Sequence, residues 1–328
     1  MATVLVTGGA GYVGSHTCLA LARAGHRVVA YDNLSNGHAE FVKWGPFERG
    51  DIRDKARLAA VFAQHQPSAV VHCAALIEVG VSVQDPAAFY DNNVNGSLVL
   101  FDVMREAGVK AFVFSSTCAT YGVPQRLPLD EKHPQWPINP YGWTKLMIER
   151  VSRDYESAYG IKFAHLRYFN AAGAAPEEGL GEHHEPESHA IPLALFTLIG
   201  RREGFKIFGN DYETRDGTCL RDYVHTMDLA DAHVAAVERL IGGGESIAAN
   251  LGSGDGVTVK ELLDAIERVT GRKVPAALAP RRPGDPPALL ADNSYAKREL
   301  GWSAQRSVDR TIADAWKWHS EIEPTVFR

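Results

Sequence analysis

Five short runs of apolar, largely β-branched residues, at positions 3–7, 27–31, 69–72, 111–115 and 161–167, alternate with stretches of ten or more residues at helical spacing. Connections of that length suit parallel strands joined by crossover helices, not hairpins. The first half is therefore expected to form an α/β, doubly wound parallel sheet, whose ligands bind beyond the carboxyl ends of the strands. After about Asn170 the pattern turns irregular: an alanine-rich stretch at 171–176, a polar one at 177–189, then helical patterns near Pro192, Met227 and Val259. A chain of 328 residues can hold one α/β domain and a smaller second lobe. With no linker, repeat or low-complexity tract between them, the expected division into 1–172 and 173–328 is a soft, partly interleaved boundary.

Directly after the first run comes Thr7-Gly8-Gly9-Ala10-Gly11-Tyr12-Val13-Gly14, which opens a helical pattern reaching Ala24. Glycines belong where a turn is tight, where the backbone must approach a pyrophosphate, and where helix and strand pack closely; the helix N-terminus then offers amides to phosphate. Gly8, Gly11, Tyr12, Val13 and Gly14 are thus candidate cofactor contacts of a Rossmann-like domain. Asp32 ends the second run about 20 residues on, where a carboxylate accepts both ribose hydroxyls. Its neighbour Asn33 carries no positive charge for a 2′-phosphate, so NAD is expected, not NADP. Asp51, Ile52, Ala74 and Asn92 fall at later strand ends or helix starts on the same rim.

The run at 111–115 leads into Ser116 and Thr117, and Tyr141-Gly142-Trp143-Thr144-Lys145 opens a helix after the proline-rich stretch 134–140. A spacing of four puts Tyr141 and Lys145 on one helical face. Lys145 and a positive nicotinamide are expected to favour the Tyr141 phenolate, with the Thr117 hydroxyl bonding the same substrate oxygen.

Other classes fit poorly. A net charge of -6, with 45% hydrophobic and 23% charged residues, supports neither disorder nor a nucleic-acid footprint. No apolar run approaches a membrane span, and the start lacks a secretory pattern. Four scattered cysteines, Cys18, Cys73, Cys118 and Cys219, fit a reducing cytoplasm. The cluster Glu182-His183-His184-Glu185-Pro186-Glu187-Ser188-His189 invites a metal reading, but its proline and high charge suit a solvated loop, so no metal is expected. His189, just ahead of the next helix, is expected to face the substrate.

Together these residues resemble the extended short-chain dehydrogenase/reductase family and, within it, the UDP-galactose 4-epimerases, over nearly the whole chain. The segments that carry the resemblance are Asp91-Asn92-Asn93-Val94-Asn95-Gly96, Pro140-Tyr141-Gly142-x-x-Lys145, Arg167-Tyr168-Phe169-Asn170, Ile207-Phe208-Gly209-Asn210-Asp211-Tyr212, Gly217-Thr218-x-x-Arg221-Asp222-Tyr223-Val224-His225 and Ala279-Pro280-Arg281-Arg282-x-Gly284-Asp285. The resemblance implies an NAD that stays bound, held by Tyr12, Val13, Asp32, Asn33, Asp51, Ile52, Asn92, Lys145 and Phe169. It implies nucleotide-sugar contacts at Asn170, Arg221, Tyr223, Arg282 and Asp285, with Phe208 in the same set and Leu289 at a pocket position that sets sugar size. Tyr141 would take the 4-hydroxyl proton while hydride leaves C4, and a 4-keto sugar would turn over and be reduced on its other face. The alternative substrates are UDP-N-acetylglucosamine and a UDP-pentose. A homodimer through helices near 87–107 and 141–159 is also implied.

Three departures stand out: Thr117 where many relatives have serine, Ile77 where a lysine is usual, and Leu289 between the large and small alternatives. Related 4,6-dehydratases need a carboxyl group just after the strand-end hydroxyl, whereas here Cys118-Ala119 follow. An NAD sensor on the same fold would not need the hydroxyl, tyrosine and lysine together.

Overall fold

The computed structural model describes residues 1–282 and 286–327. Its centre is a seven-stranded sheet in which β1 (Thr3–Thr7), β2 (Arg27–Asp32), β3 (Phe47–Arg49), β4 (Ala69–His72), β5 (Ala111–Thr117) and β6 (Lys162–Tyr168) all run parallel. The order across the sheet is β3-β2-β1-β4-β5-β6, and Ile247–Leu251 adds the seventh strand beyond β6, again parallel. From β1 the chain winds outward to β3, returns to β4 and winds the other way. Between β1 and β4 the winding direction reverses, which is where such sheets open a ligand crevice.

Side chains alternate across the strands. Val4 and Val6 enter one core with Cys18 and Leu21 of helix α1 (Tyr12–Arg23) and Leu229 and Val237 of helix Thr226–Ile241. Leu5 points the other way, into a core with Leu58 and Phe62 of helix α2 (Lys55–His65), Phe101 of helix Gly96–Ala107 and Ile148 of helix Pro140–Tyr159. A separate core, built on Ile191, Leu195, Ile207, Leu262, Ile266 and Ile312, fills the second lobe.

The lobes interleave more deeply than the sequence pattern suggests. Helix Thr226–Ile241 and strand Ile247–Leu251 belong to the sheet layers although they follow much of the second lobe in the chain. The helical pattern near Met227 was legible but belonged by sequence to the second lobe, while Ile247–Leu251 and β3 did not stand out, because β3 has only three residues and Ile247–Leu251 finds its partner far back in the chain. The helix expected near 87–107 is interrupted: Pro86–Phe89 and Gly96–Ala107 are joined by a wider π-helical turn over Tyr90–Asn95. Among the described residues no helix is long and apolar enough to cross a membrane.

One buried ion pair ties the sheet to the helix that carries Tyr141. Arg167 of β6 donates to both carboxylate oxygens of Glu149 at 2.8 and 2.6 Å, and Ser116 of β5 donates to the same carboxylate at 2.6 Å. Burial alone would raise the Glu149 carboxyl, but Arg167 outweighs it and holds it at about 2. Removing one member of such a pair leaves an uncompensated charge, at a cost of about 3–5 kcal/mol. Arg167→Met is therefore expected to lower unfolding stability by that amount in urea titration, and adding Glu149→Leu should restore part of it.

Candidate active site

The glycine turn is built for close approach. A Cβ on Gly8 would lie 2.6 Å from the Ala74 amide nitrogen, and one on Gly14 would lie 1.9 Å from the Gly8 carbonyl oxygen. Gly11 caps α1 without any side-chain hydrogen bond, so this helix end is left open for an anion. Asp32, at the end of β2, is oriented by the Ala10 amide at 3.0 Å and the Leu34 amide at 2.8 Å. Gly37 faces that carboxylate, and a Cβ there would sit 2.8 Å from it, so only glycine leaves the oxygens approachable. Burial raises the Asp32 carboxyl, against the hydrogen bonds from the loop amides.

The rest of the rim follows. Asn33 donates to Asp51 at 3.0 Å, Ile52 is buried beside Gly96, Ala74 bonds back to the Thr7 carbonyl at 3.1 Å, and Asn92 donates to Asn93 at 2.9 Å. Arg53, the guanidinium nearest these groups in sequence, is engaged by Asp51 at 2.8 Å and Asp91 at 2.6 Å. Tyr12 donates to the Gly173 carbonyl at 2.6 Å and so ties the glycine-turn helix to the second lobe, while Val13 stays half-buried beside it.

Tyr141 reaches Thr117 because the start of its helix presses onto the loop after β5. Pro140 occupies the first turn, the Asn139 side chain accepts the Gly142 amide at 2.8 Å, and a Cβ on Gly142 would lie 2.7 Å from the Ala119 carbonyl. The Tyr141 phenol faces the Thr117 side chain, which favours its charged form. One turn on, the buried Lys145 ammonium donates to the Ser115 carbonyl at 3.0 Å and lies 4.8 Å from the Phe114 ring centroid and 5.9 Å from that of Tyr141.

Burial dominates the electrostatics of Tyr141 and Lys145. Burial pushes the Tyr141 phenol above its ordinary value of 10, and the neighbouring Thr117 side chain offsets only part of this. Burial also pulls Lys145 down, to about 8. Desolvation is the largest cause for both groups, so the lysine by itself does not produce a phenolate.

Six of the residues read as substrate contacts, Asn170, His189, Phe208, Arg221, Tyr223 and Arg282, line one cavity of about 240 Å³ at the mouth of the second lobe. Asn170 and Tyr223 meet because Asn170–Ala172 and Tyr223–His225 pair in parallel register, and Arg282 stacks 4.0 Å above the Phe208 ring. Leu289 lies elsewhere, packed against the cluster that holds Cys118, the residue after Thr117, and Phe169. Asp285 falls outside the described residues.

A sequence model of the NAD dependent epimerase/dehydratase family matches residues 4–252. The chain belongs to the NAD dependent epimerase/dehydratase family. It is 60% identical over 319 residues to a UDP-glucose 4-epimerase of Rhizobium leguminosarum bv. trifolii, covering 97% of this chain and 98% of the relative. Among solved structures, the UDP-glucose 4-epimerase of Brucella ovis in complex with NAD superposes with a TM-score of 0.94 at 50% identity, covering 96% of this chain and 98% of that one. The Bifidobacterium longum enzyme in complex with NAD+ and UDP gives 0.93 at 38%, covering 99% and 100%.

NAD, the cofactor of this epimerase/dehydratase family, fits the residues present: an uncapped helix end for its diphosphate and an oriented carboxylate bared by Gly37 for a ribose. Sequence reasoning missed Arg202, Lys206 and Glu182, which also line the cavity. The basic run Arg201-Arg202-x-x-x-Lys206 was the available signal for the first two. It also missed the support beneath Lys145. There the Ser115 hydroxyl meets His233 Nε2 at 2.8 Å, and burial keeps His233 neutral, down at about 4.

The depressed lysine makes a prediction about stability. A lysine whose folded value falls from 10.5 to about 8 penalises the fold below pH 8, and that penalty disappears as pH rises to 10.5. Cofactor-free protein should gain about 3 kcal/mol of stability over this window relative to a Lys145→Met variant, which lacks the titration. Parallel urea unfolding of both proteins at the two ends of the window checks it; equal slopes would show that Lys145 is not desolvated.

Proposed function

We propose that this chain interconverts UDP-galactose and UDP-glucose as a UDP-glucose 4-epimerase with a resident NAD. The observation that carries the reading is the Tyr141 phenol set against the Thr117 side chain, with the buried Lys145 ammonium 5.9 Å from its ring centroid, in a chain whose second lobe presents Arg221 and Arg282 to a cavity of its own. When bound, NAD supplies a hydride acceptor that later returns the hydride, and a positive charge near the phenol.

The work of the protein side chains divides by place. Tyr141 accepts the proton of the sugar 4-hydroxyl and gives it back, and Thr117 holds the same oxygen. Lys145 restrains the phenol electrostatically from its anchor on Ser115. Arg221 and Arg282, whose planar forks suit phosphate oxygens, hold the diphosphate about which the 4-keto sugar turns. Arg202 and Lys206 add positive charge to the same cavity, a local exception in a chain of net charge -6.

Elimination chemistry is disfavoured at the place where a dehydratase would carry its acid. Cys118 stands there, and burial pushes its thiol up to about 12, so it donates no proton readily near neutral pH.

The site residues, the division at 172/173, a cytoplasmic setting and a homodimer are part of the same proposal. Exposed Leu98, Met147 and Tyr159 lie on helices Gly96–Ala107 and Pro140–Tyr159, with exposed Tyr90 just ahead of the first, and they support the dimer as an apolar face in need of a cover.

Purified protein is expected to convert UDP-galactose to UDP-glucose without added NAD, and denaturation should release the nicotinamide nucleotide. Tyr141→Phe should lose about 10²–10⁴-fold in kcat while keeping its nucleotide. Thr117→Ser should stay within a few-fold of wild type and Thr117→Ala should lose about 10–100-fold. Full activity in Tyr141→Phe would overturn the mechanism.

A further inference from the structure

The segment read from sequence as a solvated loop is folded in on itself. Glu182, His184, Glu187 and His189 each turn one donor atom toward a common point, and those four atoms lie within 4.8 Å of one another. The Glu182 and Glu187 side chains are only 3% and 4% exposed. His184 Nδ1 stands 3.3 Å from Glu182 and 3.5 Å from Glu187, and His189 Nδ1 stands 2.8 Å from each carboxylate. Among the described residues no other group of histidines, cysteines and carboxylates converges in this way.

Two features distinguish the cluster from an ordinary ion-pair knot. Glu182 Oε1, His184 Nδ1 and Glu187 Oε2 are buried without an aligned hydrogen bond, although buried polar atoms are almost always satisfied. The donors are also held in place from behind. The Ser188 and His189 amides bind Glu187 Oε1 at 2.7 and 2.8 Å, and the Trp318 indole binds the Glu182 carbonyl at 2.8 Å. Such outer contacts orient metal ligands. In a four-coordinate site with bonds of about 2.0–2.1 Å, ligand atoms sit roughly 3.3 Å apart; the four histidine–carboxylate separations here, 2.8–3.5 Å, lie near that, and the whole set spans no more than 4.8 Å.

We propose that Glu182, His184, Glu187 and His189 bind one divalent transition-metal ion, with zinc the ion best suited to two imidazoles and two carboxylates. The two carboxylates neutralise its charge, and the N/O donor set and tetrahedral spacing favour zinc over magnesium or calcium. Its role is structural. The His184 ring packs edge-on to Tyr12 at the start of α1, while Glu182 and His189 line the cavity that holds Arg221. An ion here fastens the 182–189 segment between the cofactor helix and the substrate mouth.

The test uses the NAD-loaded full-length protein, stripped with a chelator, dialysed against zinc, desalted and subjected to elemental analysis. One zinc per chain is expected. His184→Gln/Glu187→Gln, checked for fold by circular dichroism and for retained nucleotide, should fall to background, and the rise in Tm that zinc gives wild type should vanish with it. Cobalt loaded into wild type should give the intense visible absorption of four-coordinate Co2+, a readout that needs no variant. Substoichiometric zinc in wild type, undiminished zinc in the folded variant, or the weak spectrum of octahedral cobalt would each overturn the site.

Discussion

The buried Arg167–Glu149 pair is the contact on which the catalytic rim depends. It binds β6 to the helix that carries Tyr141 and Lys145, receives Ser116 just before Thr117, and passes through the Tyr121 hydroxyl at 3.0 Å to Asn250 of the seventh strand at 2.7 Å. Strand, helix and loop meet at these charges, so Thr117 and Tyr141 cannot drift apart without exposing or unpairing one of them. A buried pair contributes little net stability over an apolar core. Here it enforces a unique register at the place where register decides chemistry.

Above that pair the protein desolvates Tyr141 and Lys145. Tyr141 and Lys145 both sit in surroundings that disfavour their charged forms, and the direction of each shift follows from burial. Such a site is costly to the fold and is poised for an incoming charge to change its balance. The second lobe adds the complementary part. Its cavity gathers Arg202, Lys206, Arg221 and Arg282 in a chain of net negative charge, so an anionic ligand is drawn to one mouth.

Asp222 shows how that mouth is braced. Its carboxylate accepts the Ser253 amide and hydroxyl at 2.7 Å and the Ala291 amide at 3.1 Å, while its carbonyl accepts the Asn170 amide at 3.0 Å. Three separate stretches of chain are fixed around one buried side chain, and its neighbours Arg221 and Tyr223 take their places in the cavity from it. In the Arg221-Asp222-Tyr223 motif, the outer two line the cavity and the middle one supports its wall.

Local pattern by itself determined much of this protein. The parallel sheet, the glycine turn with Asp32, and Thr117, Tyr141 and Lys145 as a set were legible because strand period, helical spacing and glycine geometry are properties of neighbouring residues. Tertiary structure decided what depends on distant partners. It brought Ile247–Leu251 back onto β6, because a strand's place in a sheet is set by the edge it finds and not by its own sequence. It set how strongly burial raises Tyr141, because desolvation depends on everything packed around the phenol. And it drew the Glu182, His184 and Glu187 side chains inward beside the part-exposed His189, where composition alone had suggested a solvated loop: burial is conferred by the residues that cover a segment, such as Trp318 here, and those lie elsewhere in the chain.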